Sequence, residues 1–223
     1  KRAAINVPTL DWKMISSDEG EPEDIFYVQL YNFNANASGL FRDAATKALF
    51  SGTRGVVFDL RGNTGGYLNV AIDITGWFID RGDIVTVERM KSGKTEILRA
   101  VGNSALKKIP VVILVDDASA SASEILAGAL RDQLGSKLVG SKTFGKGSVQ
   151  EIEYLKDGST IKISTAEWLT PDGHSIDKKG LEPDIAIKNA EGDKDDAVLK
   201  KAVETLKPLL SPERAIPTLL ISL

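Results

Sequence analysis

The 223-residue sequence contains no cysteine and only one histidine, His174. The lack of cysteine excludes thiol nucleophiles, disulfide bonds and thiolate metal sites. The histidine lies in the polar segment "TPDGHSID", where a solvent-exposed turn is expected. Because histidine is the most frequent general base in proteins, its scarcity directs the search for a base to other residue types.

The sequence also lacks a charge imbalance and a long apolar run. Its 28 basic and 31 acidic residues give a net charge of -3 and are scattered along the chain, so no basic surface for nucleic acid is predicted. A helix needs roughly 20 apolar residues to span a bilayer, and no apolar run approaches that length. No membrane-spanning helix is therefore predicted. The 42% hydrophobic content suffices for one sizeable core.

Short apolar runs alternate with amphipathic segments over the first two thirds of the chain. This alternation predicts an α/β protein with a layered core. The run "IPVVILV" is almost uniformly apolar, which is typical of a strand covered on both faces. The predicted strands are 25–30, 55–60 and 109–115, the predicted helices are 40–50 and 67–79, and 83–101 are predicted to form a β-hairpin.

The chain beyond residue 137 is predicted to be rich in strands. "KLVG", "SVQEIEYL" and "TIKISTAEWLT" have strand-like composition, and the last two flank a "DG" turn at 157–158. A final amphipathic helix is predicted over 195–207. The pattern does not place residues 208–223 in the fold.

A glycine-rich segment, "DLRGNTGG", follows the second predicted strand. Gly62, Gly65 and Gly66 lie between that strand and a helix, where backbone N–H groups can meet the positive end of the helix dipole. The segment has neither the Lys-Ser/Thr ending of a Walker motif nor the spacing of a dinucleotide loop. An anion-binding loop and an ordinary tight turn are equally compatible with these residues.

Three serines alternate in "DDASASASEILAGAL", where the third apolar strand gives way to a helical pattern. This segment and the glycine segment both follow buried strands, so both are expected at one edge of the sheet, where α/β folds build their sites. Ser119 or Ser121 has the position of a helix cap, and Glu124 would complete a capping box with Ser121. A cap is the commoner role for such residues, and a nucleophile would need a nearby base.

Lys146, in "TFGKGSVQ", is the best candidate for that base. Its two glycine neighbours predict that another segment approaches closely. On a regular strand Ser148 and Gln150 would share its face, so Gln150 is predicted to hold the amine. The alternative is an edge lysine that discourages aggregation.

Four segments together resemble the carboxyl-terminal processing peptidases, also called tail-specific proteases. They are "ASASASEILAGALRD", "VGSKTFGKGSVQ", "VVFDLRGNTGGYL" and "GLEPDI". The resemblance covers roughly residues 1–207. It implies a crotonase-like or Clp-protease-like α/β serine peptidase core with a strand-rich C-terminal part. The mechanism that it implies needs no metal or cofactor.

The resemblance also assigns roles within these motifs. It implies that Ser121 is the nucleophile, that Lys146 is the general base and that Gln150 supports the lysine. Backbone amides of Ala122 and of Gly65 or Gly66 would form the oxyanion hole.

A lysine base needs its neutral form to be accessible near pH 7. Lowering its pKa from near 10.4 to about 7.5 requires roughly 4 kcal/mol of preference for the neutral amine. Burial supplies such a preference. We expect Phe144, Val149, Val112 and Leu114 to provide the apolar surroundings.

Two departures from the family pattern bear on the implied activity. Thr64 stands where family members usually have proline, which should loosen the turn and leave both glycine amides in place. Members usually carry a PDZ domain ahead of the core, and we expect that domain to lie upstream of residue 1. The expected division is therefore a catalytic core over 1–207 and an extension of unclear role over 208–223.

The sequence thus predicts a serine endopeptidase that cleaves unfolded or flexible proteins near their C-termini with a Ser-Lys dyad. A non-catalytic binding module on the same fold and a small-molecule esterase or amidase are the alternatives. The resemblance implies an extracytoplasmic location, such as a periplasm or cell envelope. It leaves the natural substrate and the oligomeric state undefined.

Overall fold

In the computed structural model, residues 8–18, 20–189 and 195–211 are described, and they form ten strands and four α-helices. The strands are β1 (Leu10–Ser16), β2 (Glu23–Leu30), β3 (Gly55–Asp59), β4 (Ile84–Met90), β5 (Thr95–Arg99), β6 (Val111–Val115), β7 (Lys137–Gly140), β8 (Ser148–Tyr154), β9 (Thr160–Leu169) and β10 (Ile185–Ala186). The helices are α1 (Ala37–Phe50), α2 (Leu68–Thr75), α3 (Ala122–Leu134) and α4 (Ala197–Leu206), and a 3₁₀ turn, Lys207–Leu209, follows α4. This arrangement confirms the predicted α/β class with its strand-rich C-terminal part.

The larger sheet has six strands in the order β1-β2-β3-β6-β7-β10. β1 is antiparallel to β2, and the other neighbours are parallel. One face packs against a core that includes residues of α1, α2 and α3, and the other against a smaller cluster with residues of α4. Because helices cover both faces of this sheet, every residue of β3 and β6 is buried, as the uniformly apolar runs predict.

The order of the parallel strands sets the position of three loops. β3, β6 and β7 are adjacent and parallel, so their carboxyl ends lie at one edge of the sheet. The glycine segment follows β3, the serine segment follows β6 and the lysine segment follows β7. The expectation that the first two segments share an edge is confirmed, and the third joins them.

The smaller sheet has four strands in the order β5-β4-β9-β8, all paired antiparallel. The hairpin of β8 and β9 contributes little to the core, because β8 is exposed over its last five residues and β9 over its first four. Several large apolar side chains at this end are solvent-exposed, namely Ile152, Tyr154, Leu155, Ile161 and Ile163.

Most predicted elements are present, but one helix is shorter than predicted, and β1 and the two-residue strand β10 were not predicted. The helix predicted over 67–79 ends at Thr75, because the chain at Gly102 packs against Gly76 and the amides of Ser104 and Leu106 bind the carbonyls of Gly76 and Trp77. A β-carbon on Gly76 would lie 2.5 Å from the Gly102 nitrogen. β1 was not predicted, and its exposed first half explains the weak apolar signal.

The predicted final helix is present as α4 and the 3₁₀ turn. Of the extension 208–223, residues 212–223 lie outside the described residues. Leu210 is packed against the cluster around α4, and the Arg54 side chain donates to the Ser211 carbonyl at 2.6 Å.

Candidate active site

The three alternating serines have different surroundings. Ser119 and Ser123 are fully buried, and their hydroxyls donate to the carbonyls of Leu60 at 2.8 Å and Asn63 at 2.9 Å. Ser121 is partly exposed and has φ 57° and ψ −115° at the start of α3. A non-glycine residue at such a positive φ is strained and persists only where its surroundings hold it. The middle serine is therefore the one presented to solvent on a constrained turn.

Glu124 is the residue that holds this turn. It forms the predicted capping box, in which its Oε2 accepts the Ser121 amide at 2.8 Å. The same oxygen accepts the Lys146 amide at 2.9 Å, and Oε1 accepts the Thr143 hydroxyl at 2.6 Å and the Gly145 amide at 2.7 Å. This fully buried carboxylate thus connects the serine turn to the lysine segment through hydrogen bonds alone.

The glycine segment packs directly against the serine turn. A β-carbon on Gly65 would lie 2.7 Å from the Ala120 oxygen and 2.8 Å from the Ser121 β-carbon, so glycine is required here for the close approach. Asn63, which is fully buried, accepts the Ala120 amide on its carbonyl at 3.0 Å and donates its side-chain amide to the Leu30 carbonyl at 2.6 Å. These contacts fix the loop relative to β2 and to the nucleophile candidate.

The amides of this region differ in their partners. The Gly65 N–H donates to Asn63 Oδ1 at 2.9 Å. Within residues 8–18, 20–189 and 195–211, neither the Ala122 N–H nor the Gly66 N–H donates a hydrogen bond. Ala122 is the first residue of α3, where the helix leaves its amides without internal partners. Two unpaired amides therefore belong to the two segments that meet at Ser121.

The lysine segment is packed as its flanking glycines predict. A β-carbon on Gly147 would lie 2.2 Å from the Asp177 nitrogen, and one on Gly145 would lie 2.9 Å from the Gly180 nitrogen. The Lys178 amide also donates to the Gly145 carbonyl at 2.8 Å. The predicted close approach of another segment is confirmed, and that segment is the strand-free stretch before β10.

The predicted apolar surroundings of the Lys146 side chain are wrong. Lys146 is exposed and so is Phe144, whereas Val112 and Leu114 lie in the cluster against α4, on the far face of the sheet. The amine has no hydrogen-bond or ion-pair partner among the described residues. The side chain projects from a well-fixed backbone into solvent.

Gln150 is not brought to the lysine amine. A bulge between Val149 and Gln150 interrupts the pairing of β8 with β9, so the strict alternation behind the prediction does not hold here. Gln150 is exposed and lines a hollow beside β4 and β9 with Ser148 and Ser164. Sequence periodicity cannot detect such a bulge, because it depends on the partner strand.

His174 is exposed in a turn, as predicted, and its carbonyl accepts the Thr170 amide at 2.9 Å. Within the described part of the chain, no group of three or more histidine or acidic residues has a metal-binding arrangement. Over the same residues, no helix is long and apolar enough to cross a membrane.

A partly buried charge network contacts the glycine segment through Arg61. Arg61 donates to Asp59 through Nη2 at 2.6 Å and to Asp196 through Nη2 at 2.7 Å, and the Tyr27 hydroxyl donates to Asp59 at 2.7 Å. Burial and the neighbouring Asp59 carboxylate raise the pKa of Tyr27. Burial acts to raise the pKa of Asp196, but the hydrogen bonds from Arg61 and the Leu199 amide outweigh it and lower the pKa to about 2. Asp196 also caps α4, so that helix is tied to the glycine segment.

Two residues of the site were missed or underestimated by sequence reasoning. Asn63 lies inside the quoted glycine segment, where an asparagine in a turn signals side-chain to backbone hydrogen bonds. Glu124 was assigned only a capping role, and no local pattern reveals its second set of partners, which are about 20 positions away in the chain.

Comparison with known proteins places this arrangement in a family. The model of peptidase family S41 matches residues 24–187, which contain the glycine, serine and lysine segments. "Probable CtpA-like serine protease" of Staphylococcus epidermidis is 40% identical over 190 residues, covering 84% of this chain and 37% of the relative. The protein of the same description from Staphylococcus aureus is also 40% identical and has 36% of its length covered.

Solved structures agree with these relatives. The photosystem II D1 C-terminal processing protease superposes with a TM-score of 0.77 at 31% identity, over 96% of this chain and 55% of that protein. The chain spans little more than a third of the length of the two Staphylococcus relatives. With its family model covering most of the chain, this protein belongs to peptidase family S41.

Proposed function

We propose that this chain is the catalytic core of a serine endopeptidase, with Ser121 as nucleophile and Lys146 as general base. The observation that carries the proposal is the Ser121 turn: a strained, partly exposed serine beside two amides that have no acceptor among the described residues. Acyl transfer requires an accessible nucleophile and hydrogen-bond donors for the oxyanion, and backbone strain is frequent at such sites.

The proposed reaction begins with attack of Ser121 Oγ on a peptide carbonyl carbon, while Lys146 Nζ takes the hydroxyl proton. The carbonyl oxygen becomes an oxyanion that accepts hydrogen bonds from the Ala122 and Gly66 amides. The C–N bond then breaks, and Lys146 returns the proton to the leaving amine. Water hydrolyses the resulting ester by the same steps, with Lys146 first accepting a proton from the water.

Gly66 is the favoured second donor, because the Gly65 amide is already bound to Asn63. The role of Lys146 rests on its position: its backbone shares a Glu124 oxygen with the backbone of Ser121, so the two amide nitrogens lie within two hydrogen-bond lengths. The exposed side chain is free to turn toward Ser121, and a bound polypeptide covering the site would exclude water from the amine. Gln150 is proposed to support the lysine only in that bound state.

The proposed substrate is an unfolded or flexible protein cleaved near its C-terminus; the name of the photosystem II D1 C-terminal processing protease states C-terminal processing for that protein. The catalytic core is proposed to comprise residues 1–207, and recognition by a PDZ domain would belong to sequence outside this chain. An extracytoplasmic location is part of the same proposal.

The proposal is tested with a fluorophosphonate probe, which forms a covalent adduct with activated serines. Peptide mapping should place the adduct on Ser121 and not on Ser119 or Ser123, whose hydroxyls are buried. Incubation with a disordered protein should give fragments, and Ser121→Ala should give none. An unlabelled protein that digests nothing would favour a binding module, and a labelled one that cleaves only small esters would favour an esterase.

A further inference from the structure

Two aromatic side chains beside the serine turn are exposed although aromatic residues usually bury most of their surface. Phe144 is 66% exposed and Tyr67 is 60% exposed. Burying an aromatic ring contributes a large part of the hydrophobic free energy available to a contact. Single exposed apolar side chains are common on protein surfaces, so the position of these two beside the proposed site, and not their exposure alone, points to a bound molecule.

The backbones that carry these rings are fixed next to the site. The Phe144 amide donates to the Ser119 carbonyl at 3.0 Å, and Thr143 and Gly145 on either side are both bound to Glu124. Tyr67 directly follows Gly66, and its amide donates to the Phe33 carbonyl at 2.7 Å. Both rings are therefore presented from well-held positions rather than from loose loops.

The strand order places the two backbone segments that carry these rings on opposite sides of the serine turn. The serine turn follows β6, Tyr67 lies in the connection after β3 and Phe144 lies in the connection after β7. β3 and β7 are the two neighbours of β6 in the sheet. A polypeptide laid across this edge over Ser121 would meet one ring before the nucleophile and the other after it.

A hollow beside Phe144 has room for a substrate side chain. Its volume is about 520 Å³, which exceeds that of a single large side chain. Its walls are Asp117, Ser141, Lys142, Thr143, Phe144 and Lys188. The phenyl ring and the aliphatic parts of the lysines provide the apolar surface.

We propose that Phe144 and Tyr67 each bind an apolar side chain of the polypeptide substrate, on opposite sides of the bond that Ser121 attacks. This inference rests on the proposed function. It assigns the two residues to substrate selection and not to the chemical steps, since neither supplies a proton or an oxyanion contact. The enzyme should accordingly prefer bonds flanked by apolar residues.

The test compares Phe144→Ala and Tyr67→Ala with two matched controls at exposed aromatic positions away from the site. Phe50→Ala alters a 63% exposed ring at the end of α1, and Tyr154→Ala alters a 79% exposed ring at the end of β8. Each variant of the full chain digests the same disordered protein, and mass spectrometry identifies the residues on both sides of every cleaved bond. Fluorophosphonate labelling of Ser121 is measured in parallel, because the small probe does not need the rings.

We expect Phe144→Ala to lose the apolar preference on one side of the cleaved bond and Tyr67→Ala to lose it on the other. Cleavage at the bonds preferred by the unaltered protein should fall by about 10-fold in kcat/KM, the usual effect of one apolar contact. Labelling should be unchanged in both variants, and the two controls should match the unaltered protein in every measurement.

Normal labelling with an unaltered cleavage pattern in both variants would overturn the inference and leave the proposed function intact. Loss of labelling in either variant would also overturn it, because the ring would then support the nucleophile rather than the substrate. If the unaltered protein is neither labelled nor active, the proposed function fails and this inference fails with it.

Discussion

The nucleophile and the base of the proposed site are supported in different ways. Around Ser121, the flanking Ser119 and Ser123 and the Asn63 side chain are buried and hydrogen-bonded, and the Gly65 backbone packs against the serine turn. Around Lys146, the backbone is equally well held by Glu124, but the side chain is exposed and precedes a hairpin that is itself largely exposed.

This difference indicates which part of the site is preorganised. The oxyanion donors and the nucleophile must be in place when negative charge develops on the carbonyl oxygen. A site that first had to reorganise would stabilise the transition state less. The base has a flexible four-carbon side chain that reaches its position by rotation about single bonds. The fold thus fixes the serine side by packing and fixes only the attachment point of the lysine.

The largest effect is expected from the serine side. Ser121→Ala should lower kcat on a disordered protein by at least about 10⁴-fold, the scale for loss of a catalytic nucleophile. Ser119→Ala and Ser123→Ala remove buried hydrogen bonds, and each should lower the free energy of unfolding by about 1–2 kcal/mol while much of the activity remains. Thermal unfolding and kinetics separate the two effects. Equal activity losses at Ser119 and Ser121 would contradict the assignment.

The next effect tests the base. A guanidinium does not lose its proton near neutral pH, so Lys146→Arg should be as inactive as Lys146→Ala, by about 10³-fold or more in kcat. Because the side chain is exposed, both variants should unfold at the temperature of the unaltered protein. Substantial activity of the arginine variant would show that Lys146 acts only through its charge.

Two glycines of one loop give a matched pair for the oxyanion side. Gly65 (φ 100°) and Gly62 (φ 72°) both have positive φ, but a β-carbon would collide with the serine turn only at Gly65. Gly65→Ala should lower kcat by about 10²-fold, comparable with loss of an oxyanion donor. Gly62→Ala should cost about 1–2 kcal/mol of stability from backbone strain and little activity. Similar kinetics for the two variants would show that the close approach at Gly65 is unimportant.

Glu124→Gln should affect both halves of the site. Each carboxylate oxygen accepts two hydrogen bonds, so an amide in either orientation loses two acceptor contacts inside the protein. We expect a loss of about 2–4 kcal/mol in the free energy of unfolding and a fall of about 10-fold in kcat. The control is Glu153→Gln, an exposed residue of β8. Unchanged stability would mean that Glu124 does not connect the two segments as the geometry indicates.

The smallest effect concerns the charge network behind the glycine segment. The pKa of Asp196 is lowered to about 2 in the folded protein, chiefly through Arg61 once the opposing effect of burial is overcome. A lowered folded pKa stabilises the fold above the ordinary value near 3.8, and this contribution is lost as the pH falls from about 4 to about 2. Asp196→Asn should therefore flatten the acid side of the stability profile, measured by melting temperature.

Asp195→Asn is the matched control, since Asp195 is exposed next to the cap of α4. The Asp195→Asn variant should show the same fall in melting temperature at acid pH as the unaltered protein. The effect at Asp196 is expected to be modest because its side chain is 34% exposed and solvent weakens the ion pair. An identical acid profile for both variants would show that the network does not stabilise the attachment of α4.

Much of the fold followed from local patterns. The buried strands β3 and β6, the helix α1 and the close packing at Gly145 and Gly147 were predicted, because hydrophobic periodicity and glycine placement report burial and backbone approach directly. The predicted contacts of Gln150 and the apolar surroundings of Lys146 were not observed. One depends on a bulge set by the partner strand, and the other on which face of the sheet a neighbouring side chain occupies.

The sequence by itself determined the α/β class, the three segments of the site and their place after buried strands. Only the tertiary structure decided which of the three serines faces solvent and that one buried carboxylate joins the serine turn to the lysine segment. It also decided that the Gly65 amide is hydrogen-bonded to Asn63, while the Gly66 amide has no acceptor in the part of the chain that the structure describes. The physical reason is that hydrogen-bond partners distant in the chain are chosen by packing, whereas periodicity and turn preferences act over a few residues.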